Sequence, residues 1–317
     1  MRYKEFKKMG MQVSSLCIGT WELSGDRYGD VNPEECQKAI HAMIDYGVNI
    51  IDTAPIYGAG LSEKRVGKYL KGGYRDKVLL CTKFGIYESP KLDGSTINDG
   101  SYNSVLKECD ASLQALQTDY IDIYFMHWPD PNTPIEETMK ACNELKKQGK
   151  IRFIGVSNFS KEQIIEAEKY ASIDVLQPPF SMVNQSARAL MEWCETEGIG
   201  TTTYGSLGAG ILTGAIRSIP DWPENDMRFI FYDYYREPKF SKIMELLKTL
   251  DRIAEAHGRP VAQVAINWST QKSFVGTAIV GVRNVREALE NCKTFEWALS
   301  EEEIAMIDAE LERLNIG

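Results

Sequence analysis

The chain has 317 residues, of which 43% are hydrophobic and 26% charged, and its formal net charge is −9. That is enough apolar material for a large core, and the acidic balance excludes a nucleic-acid surface built from clustered Lys and Arg. No apolar run reaches the roughly 18 residues that a membrane-spanning helix needs.

The opening "MRYKEFKKMG" is basic without an apolar core, so it does not read as a signal peptide. "YKEFKKMGMQVS" (3–14) reads as a hairpin that would cap the bottom of whatever follows. Eight short apolar runs come next: "SLCIGT" (15–20), "VNIIDTA" (48–54), "KVLLCTKF" (77–84), "YIDIYFMH" (120–127), "IRFIGVSN" (151–158), "IDVLQP" (173–178), "IGTTTYG" (199–205) and "VGTAIVG" (275–281). Segments of helical period separate them, among them 32–47 and 135–149. In "GLSEKRVGKYLKGG" (60–73), Ser62 is placed as an N-cap, Leu61 and Val66 as a hydrophobic staple, and Gly72 as a C-cap. "NFSKEQ" carries a capping box, with Gln163 three residues after Ser160.

Strands alternating with helices imply a parallel sheet. Eight of them predict a closed (β/α)8 TIM barrel, an α/β fold, as one domain over 1–317; an open doubly wound sheet is the competitor. "SIPDWPENDMRFIFYDYYREPKF" (218–240) fits neither period, and reads as a long aromatic insertion after the seventh strand. The seven cysteines (Cys17, Cys36, Cys81, Cys109, Cys142, Cys194 and Cys292) form no CxxC, which suits buried reduced thiols in a cytoplasmic protein. Only His41, His127 and His257 are histidines, so no metal site is expected.

The second, third and fourth runs carry Asp52, Lys83 and His127 at their C-terminal ends, and Tyr57 follows Asp52 in the next loop. A barrel brings these positions to the face where barrel enzymes do their chemistry. Taken singly, each has an ordinary reading: a turn-forming Asp, a surface Lys, a packed His, a Tyr in a turn. Together they suit proton transfer. A free phenol titrates near 10, and an ammonium held by a carboxylate would lower that value and make Tyr57 a usable acid or base. His127 could hydrogen-bond the same substrate oxygen.

"GTW" (19–21), "DTAPIYGAGLSE" (52–63), "TKFG" (82–85), "DYIDIYFMHWPDP" (119–131) and "GKIRFIGVSNFS" (149–160) together resemble the aldo-keto reductase superfamily, in the family's order along the whole chain. The bacterial branch of general-stress and inositol-related reductases is the most similar. The resemblance implies a barrel that binds NADP(H) without a Rossmann domain, with Tyr57 as acid/base and Asp52, Lys83 and His127 around it. Neither phosphate motif is present in its own right. "GAGILTG" (208–214) misses G-x-G-x-x-G, and "GLSEKRVGKY" misses the P-loop.

By the same resemblance, Gly19, Thr20 and Trp21 line the cofactor site. Ser157, Asn158 and Gln177 hold the nicotinamide carboxamide, and Tyr204 stacks on its ring. Ser206, Leu207 and Gly210 wrap the pyrophosphate, where glycines let backbone N–H groups approach an anion. The adenosine falls to Gly281, Arg283, Glu287 and Asn291. Here the chain departs from the mammalian-type pattern, with Gly281 in place of a Lys and Glu287 in place of an Arg. Arg283 remains as a partner for a 2′-phosphate, but these departures leave NAD(H) open beside NADP(H). Phe180 replaces a common Tyr, a change expected to affect packing.

Trp21, Tyr57, Trp128 and the 218–240 insertion would rim a pocket for a small carbonyl or sugar, with Asp26, Arg27, Asp130 and Arg228 as sources of polar specificity. No nucleic-acid or membrane partner is expected. Two rivals stand beside the reductase. One is a cofactor-bound regulatory subunit with little turnover, as in potassium-channel β subunits, against which the lack of a long extension before the hairpin counts. The other is a lyase using Lys83 as a Schiff base.

Overall fold

A computed structural model describes residues 1–25, 31–89, 95–223 and 226–317. Strands β1 (Tyr3–Phe6) and β2 (Met11–Ser14) pair antiparallel as the opening hairpin. Each of the eight apolar runs then supplies one barrel strand: β3 (Leu16–Gly19), β4 (Ile50–Asp52), β5 (Leu79–Phe84), β8 (Ile121–Met126), β9 (Ile151–Ser157), β10 (Val175–Gln177), β11 (Gly200–Thr203) and β12 (Thr277–Gly281). All eight are parallel and close in sequence order, β12 pairing with β3. The TIM barrel is therefore realised, and the open-sheet alternative is not.

Strand alternation decides what each residue faces. Ile50, Leu79, Cys81, Ile123, Phe125 and Val175 form the apolar cluster inside the barrel. Their neighbours Ile51, Leu80, Phe84, Tyr124 and Leu176 belong to the cluster shared with the surrounding helices. Carrying the inward parity one step further along each strand reaches Asp52, Lys83, His127 and Gln177. The polar residues at one end of the barrel are thus the continuation of its apolar interior.

The other end is plugged by the hairpin. Phe6 is 1% exposed and lies against Gly200 and Gly276, where an added Cβ would stand 2.3 Å and 2.6 Å from its ring. Any side chain at either position would evict the ring, whose burial contributes about 2–3 kcal/mol.

Helix Pro33–Asp45 starts where the sequence places it, with Asn32 accepting from the Glu34 and Glu35 amides and Pro33 in the first turn. The Ser160–Gln163 capping box is present. The caps expected at 60–73 are not. That helix spans Leu61–Tyr69, its N-cap is Gly60 in the left-handed conformation (φ 82°), and its C-cap is Leu70 rather than Gly72. Ser62 is drawn inward instead. Its Oγ donates to the Thr20 carbonyl (2.8 Å) and shares a bond with Thr53 Oγ1 (3.0 Å).

The insertion is less irregular than its sequence suggests: Met227–Phe231 is a short helix and Asp233–Tyr235 a 3-10 turn. A hairpin of β6 (Ile86–Glu88) and β7 (Thr96–Asn98) follows β5, and the helices Lys239–His257 and Val261–Thr270 follow the insertion. Phe180 stacks on Trp268 with centroids 5.6 Å apart, the packing role expected of it. All seven cysteines are buried and free.

Candidate active site

The centre of the open end is Lys83, fully buried on β5. Its ammonium donates three bonds, to Asp52 Oδ1 (2.5 Å), to the Thr53 carbonyl (2.9 Å) and to the Tyr57 hydroxyl (3.4 Å). An ammonium has three N–H groups, so all are used. The Tyr57 oxygen accepts from Lys83, which leaves its own hydrogen to point elsewhere. The second Asp52 oxygen accepts from Gln177 Nε2 (2.9 Å).

Tyr57 reaches Lys83 because the loop after β4 turns tightly. The Tyr57 amide donates to Ala54 (3.1 Å) and the Gly60 amide to Pro55 (2.7 Å). Gly58 sits at φ 61°, and a Cβ there would lie 2.4 Å from the Ser24 carbonyl oxygen. Only glycine lets the two loops meet this closely. Thr20 buttresses the same corner, its hydroxyl donating to the Asp52 carbonyl (2.8 Å). Trp21 stacks on the Tyr57 ring (5.9 Å between centroids, 18° between planes), and His127 meets that ring edge-on at 6.2 Å. Asp52, Tyr57, Lys83 and His127 are therefore one cluster.

Burial and charge set the protonation states. Burial alone would drive the Lys83 ammonium down, but Asp52 and then Tyr57 outweigh it, so its pKa stands above the usual lysine value. Burial pushes the Tyr57 phenol above 10, and Lys83 opposes that shift without overcoming it. The expectation that Lys83 brings the phenol's net pKa down is corrected: Tyr57 is a neutral acid, with a cation poised to receive the charge it would leave. Burial, helped by Lys83, holds His127 well below its ordinary value, so its ring is neutral. His127 Nδ1 is buried and has no hydrogen-bond partner among the described residues.

The groups expected at the nicotinamide end lie beside this cluster. Asn158, at φ 62°, gives Nδ2–H to the His127 carbonyl (3.1 Å) and accepts from the Tyr204 hydroxyl at Oδ1 (2.8 Å). Ser157 Oγ donates to the Gln177 carbonyl (2.8 Å). Further round, Gly205, Gly208, Ala209 and Gly210 all have positive φ, a backbone form that turns successive amides toward one point, as in anion-binding nests. Ser206 is buried, with its hydroxyl on the Thr203 carbonyl (3.2 Å). Leu207 packs against the apolar clusters of the body.

The register places Gly281 beside Gly19 and Gly19 beside Asp52. Arg283 and Glu287 lie beyond Gly281, joined by an ion pair (2.9 Å), and Asn291 is buried on the helix Val285–Cys292. Sequence reasoning missed Glu22, whose carboxylate rests directly on Gly281, and the supports Thr53 and Ser62. Of the polar specificity candidates, Asp130 serves its own loop, accepting from the Gly100 amide (2.9 Å) and Thr133 (2.6 Å). Arg228 pairs with Asp226 (2.7 Å) and covers Trp222. Asp26 and Arg27 lie outside the described residues. Phe231 meets Trp21 edge-on at 6.0 Å and is exposed, as is Trp128.

The model of the aldo/keto reductase family matches residues 15–312 of the chain. The chain belongs to the aldo/keto reductase family. It is 33% identical over 317 residues to the aldo-keto reductase YhdN of Bacillus subtilis (strain 168), covering 98% of this chain and 94% of that one. It is 32% identical over 310 residues to an NADH-specific methylglyoxal reductase of Escherichia coli (strain K12), covering 93% and 94%. Among solved structures, the glycerol dehydrogenase of Gluconobacter oxydans superposes with a TM-score of 0.86 at 30% identity, covering 98% of this chain and 94% of that one. This aldo/keto reductase is accordingly an oxidoreductase of aldehydes, ketones or the corresponding alcohols that uses a nicotinamide cofactor. Among its described residues no helix is long and apolar enough to cross a membrane.

Proposed function

We propose that the chain, working as a single barrel domain, reduces small polar aldehydes and ketones, or oxidises the matching alcohols and polyols, with Tyr57 as the proton donor. The observation that carries this reading is the spent ammonium: Lys83 gives all three N–H groups to Asp52, Thr53 and Tyr57. The Tyr57 proton is then directed at the substrate oxygen, and the phenolate left behind forms against a fixed positive charge. Neutral His127 offers an N–H to the same oxygen and so orients the carbonyl. Asp52 keeps Lys83 charged and in place. Trp21 and Phe231 wall the approach and exclude water.

A nicotinamide dinucleotide supplies the hydride when bound. The chain fits one along its whole arc. Asn158, Ser157 and Gln177 present amide and hydroxyl groups for the carboxamide, and the Tyr204 ring offers a flat face for stacking. The left-handed residues Gly205, Gly208, Ala209 and Gly210, with Ser206 and Leu207, suit the pyrophosphate. Gly19, Thr20 and Trp21 line the floor, where Thr20 has only its backbone to offer. Gly281, Arg283, Glu287 and Asn291 would take the adenosine, and the preference between NADP(H) and NAD(H) turns on that group. Small polar substrates are favoured by two relatives, one named for methylglyoxal and one for glycerol. The aromatic rim accommodates the apolar faces of such molecules.

The Schiff-base alternative is disfavoured because a buried, fully bonded ammonium with a raised pKa has no free lone pair. The regulatory-subunit alternative shares the cofactor site and differs in turnover. A panel of methylglyoxal, glyceraldehyde, aromatic aldehydes, glycerol and inositol, followed by reduced-nicotinamide absorbance, separates them. Steady turnover of methylglyoxal, glyceraldehyde, glycerol or inositol supports the proposal, and turnover of aromatic aldehydes alone would overturn its substrate class. Tight dinucleotide binding with no turnover across the panel favours the regulatory reading.

A further inference from the structure

The adenosine end carries a charge arrangement of its own. Glu287 accepts from Arg283 three times, from its backbone amide (3.1 Å), its Nε (3.4 Å) and its Nη2 (2.9 Å). The guanidinium that a 2′-phosphate would need is thus already engaged by a carboxylate of the same chain. A second carboxylate stands next to it. Glu22 lies on Gly281, so close that a Cβ at 281 would be 1.6 Å from its Oε1. Glycine at 281 makes room for Glu22, and any longer residue there would push it away. Burial holds the Glu22 carboxyl at about 7, with Arg283 working against the shift and Glu287 reinforcing it, so the groups interact. Cys36 Sγ, on the helix Pro33–Asp45, donates to the Arg283 carbonyl (3.6 Å).

We propose that Glu22 and Glu287 select against a 2′-phosphate, so that the chain takes NAD(H) in preference to NADP(H). The inference rests on the dinucleotide reading above. Glu287 balances the Arg283 guanidinium, and Glu22, half ionised near pH 7, tips this corner to net negative. A 2′-phosphate, itself bearing nearly two negative charges, would have to prise Glu287 from Arg283 and then sit beside both acids. A free ribose diol meets no such opposition, because its hydroxyls can donate to a carboxylate. The same corner with a cation at 281 and a free guanidinium would reverse the preference, since Arg binds phosphate through paired N–H donors.

The test measures binding and needs no turnover. NADH and NADPH are titrated separately against tryptophan fluorescence of the full chain, with ADP and adenosine 2′,5′-bisphosphate as non-redox probes. The wild type should bind NADH at least about tenfold more tightly than NADPH, the effect of roughly one unfavourable charge contact. Glu287→Gln, which frees Arg283, should lower the ratio Kd(NADPH)/Kd(NADH) by about tenfold, the scale of one charge-assisted contact. Adding Arg283→Ala to that variant should remove the gain. Glu22→Gln should move the ratio the same way, so the proposal does not depend on one variant folding well.

Equal or tighter binding of NADPH by the wild type would overturn the preference, as would a ratio indifferent to both glutamate changes. Failure of both dinucleotides to bind at millimolar concentration would overturn the dinucleotide reading along with this inference. Binding with the expected ratio in a protein that turns nothing over would support the inference and count only against the oxidoreductase reading.

Discussion

The two ends of the proposed cofactor site are built on opposite plans. At the chemistry end, Asp52 and Lys83 project from neighbouring strands into the barrel and are almost fully buried. Their places follow from strand register, and every ammonium hydrogen is accounted for. At the adenosine end, Arg283 is more than half exposed, and its partner is one helical turn away on the same segment. A buried pair cannot lose one member without leaving the other's charge stranded, whereas an exposed pair can lose a member to mutation at little cost to the fold, water taking its place. On the proposed reading, the reaction is set by the part of the molecule that resists change, and the choice of cofactor by the part that tolerates it.

The first way to break this contrast is Lys83→Met. It strands the Asp52 carboxylate in the barrel and removes the charge behind Tyr57. Turnover should fall by about 10²–10⁴-fold, and unfolding free energy by about 3–5 kcal/mol in denaturant titrations. A variant that keeps both its stability and its rate would show that the buried pair is not the rigid end.

A smaller effect is expected from Glu22→Gln, which tests the tolerant end by pH. The Glu22 carboxyl is at about 7 when folded and about 4.5 as a free side chain, so the folded state holds a proton that the unfolded chain releases. Stability from this group is present below that window and is lost as pH rises through it. Removing the charge should raise Tm by about 2–4 °C near pH 8 and hardly at all near pH 4. An equal shift at both pH values would exclude titration of Glu22 as the cause.

The smallest is Ser160→Ala, a control outside both regions. Loss of the capping box should cost about 1 kcal/mol without changing the cofactor ratio. A change in that ratio would mean that surface elements are coupled to the site more tightly than the contrast allows.

Much of the rigid end was legible in the sequence, for a physical reason. Strand alternation has period two, so an apolar run ending in Asp, Lys or His points that residue where its apolar predecessors point. Asp52, Lys83 and His127 follow that rule. Ser62 shows where local reading stops. It has the residue type of an N-cap, but Thr20 and Thr53 compete for its hydroxyl, and Thr20 is 42 residues away in sequence. Without that partner in view, Gly60 could not be recognised as the cap. The sign of the Tyr57 shift was hidden in the same way. Sequence identifies the neighbouring ammonium but not the depth of burial, and burial is the larger effect. The Arg283–Glu287 pair was readable from its i,i+4 spacing. The seat of Glu22 on Gly281 spans the whole chain and was not.

The central claim, that a neutral Tyr57 backed by charged Lys83 delivers the proton, is tested most directly by Tyr57→Phe. Single-turnover reduction of the best carbonyl in the panel should slow by about 10²–10⁴-fold, while reduced dinucleotide still quenches tryptophan fluorescence with a similar Kd. A rate within about twofold of wild type, with the dinucleotide bound, would contradict the account and place the proton on another group.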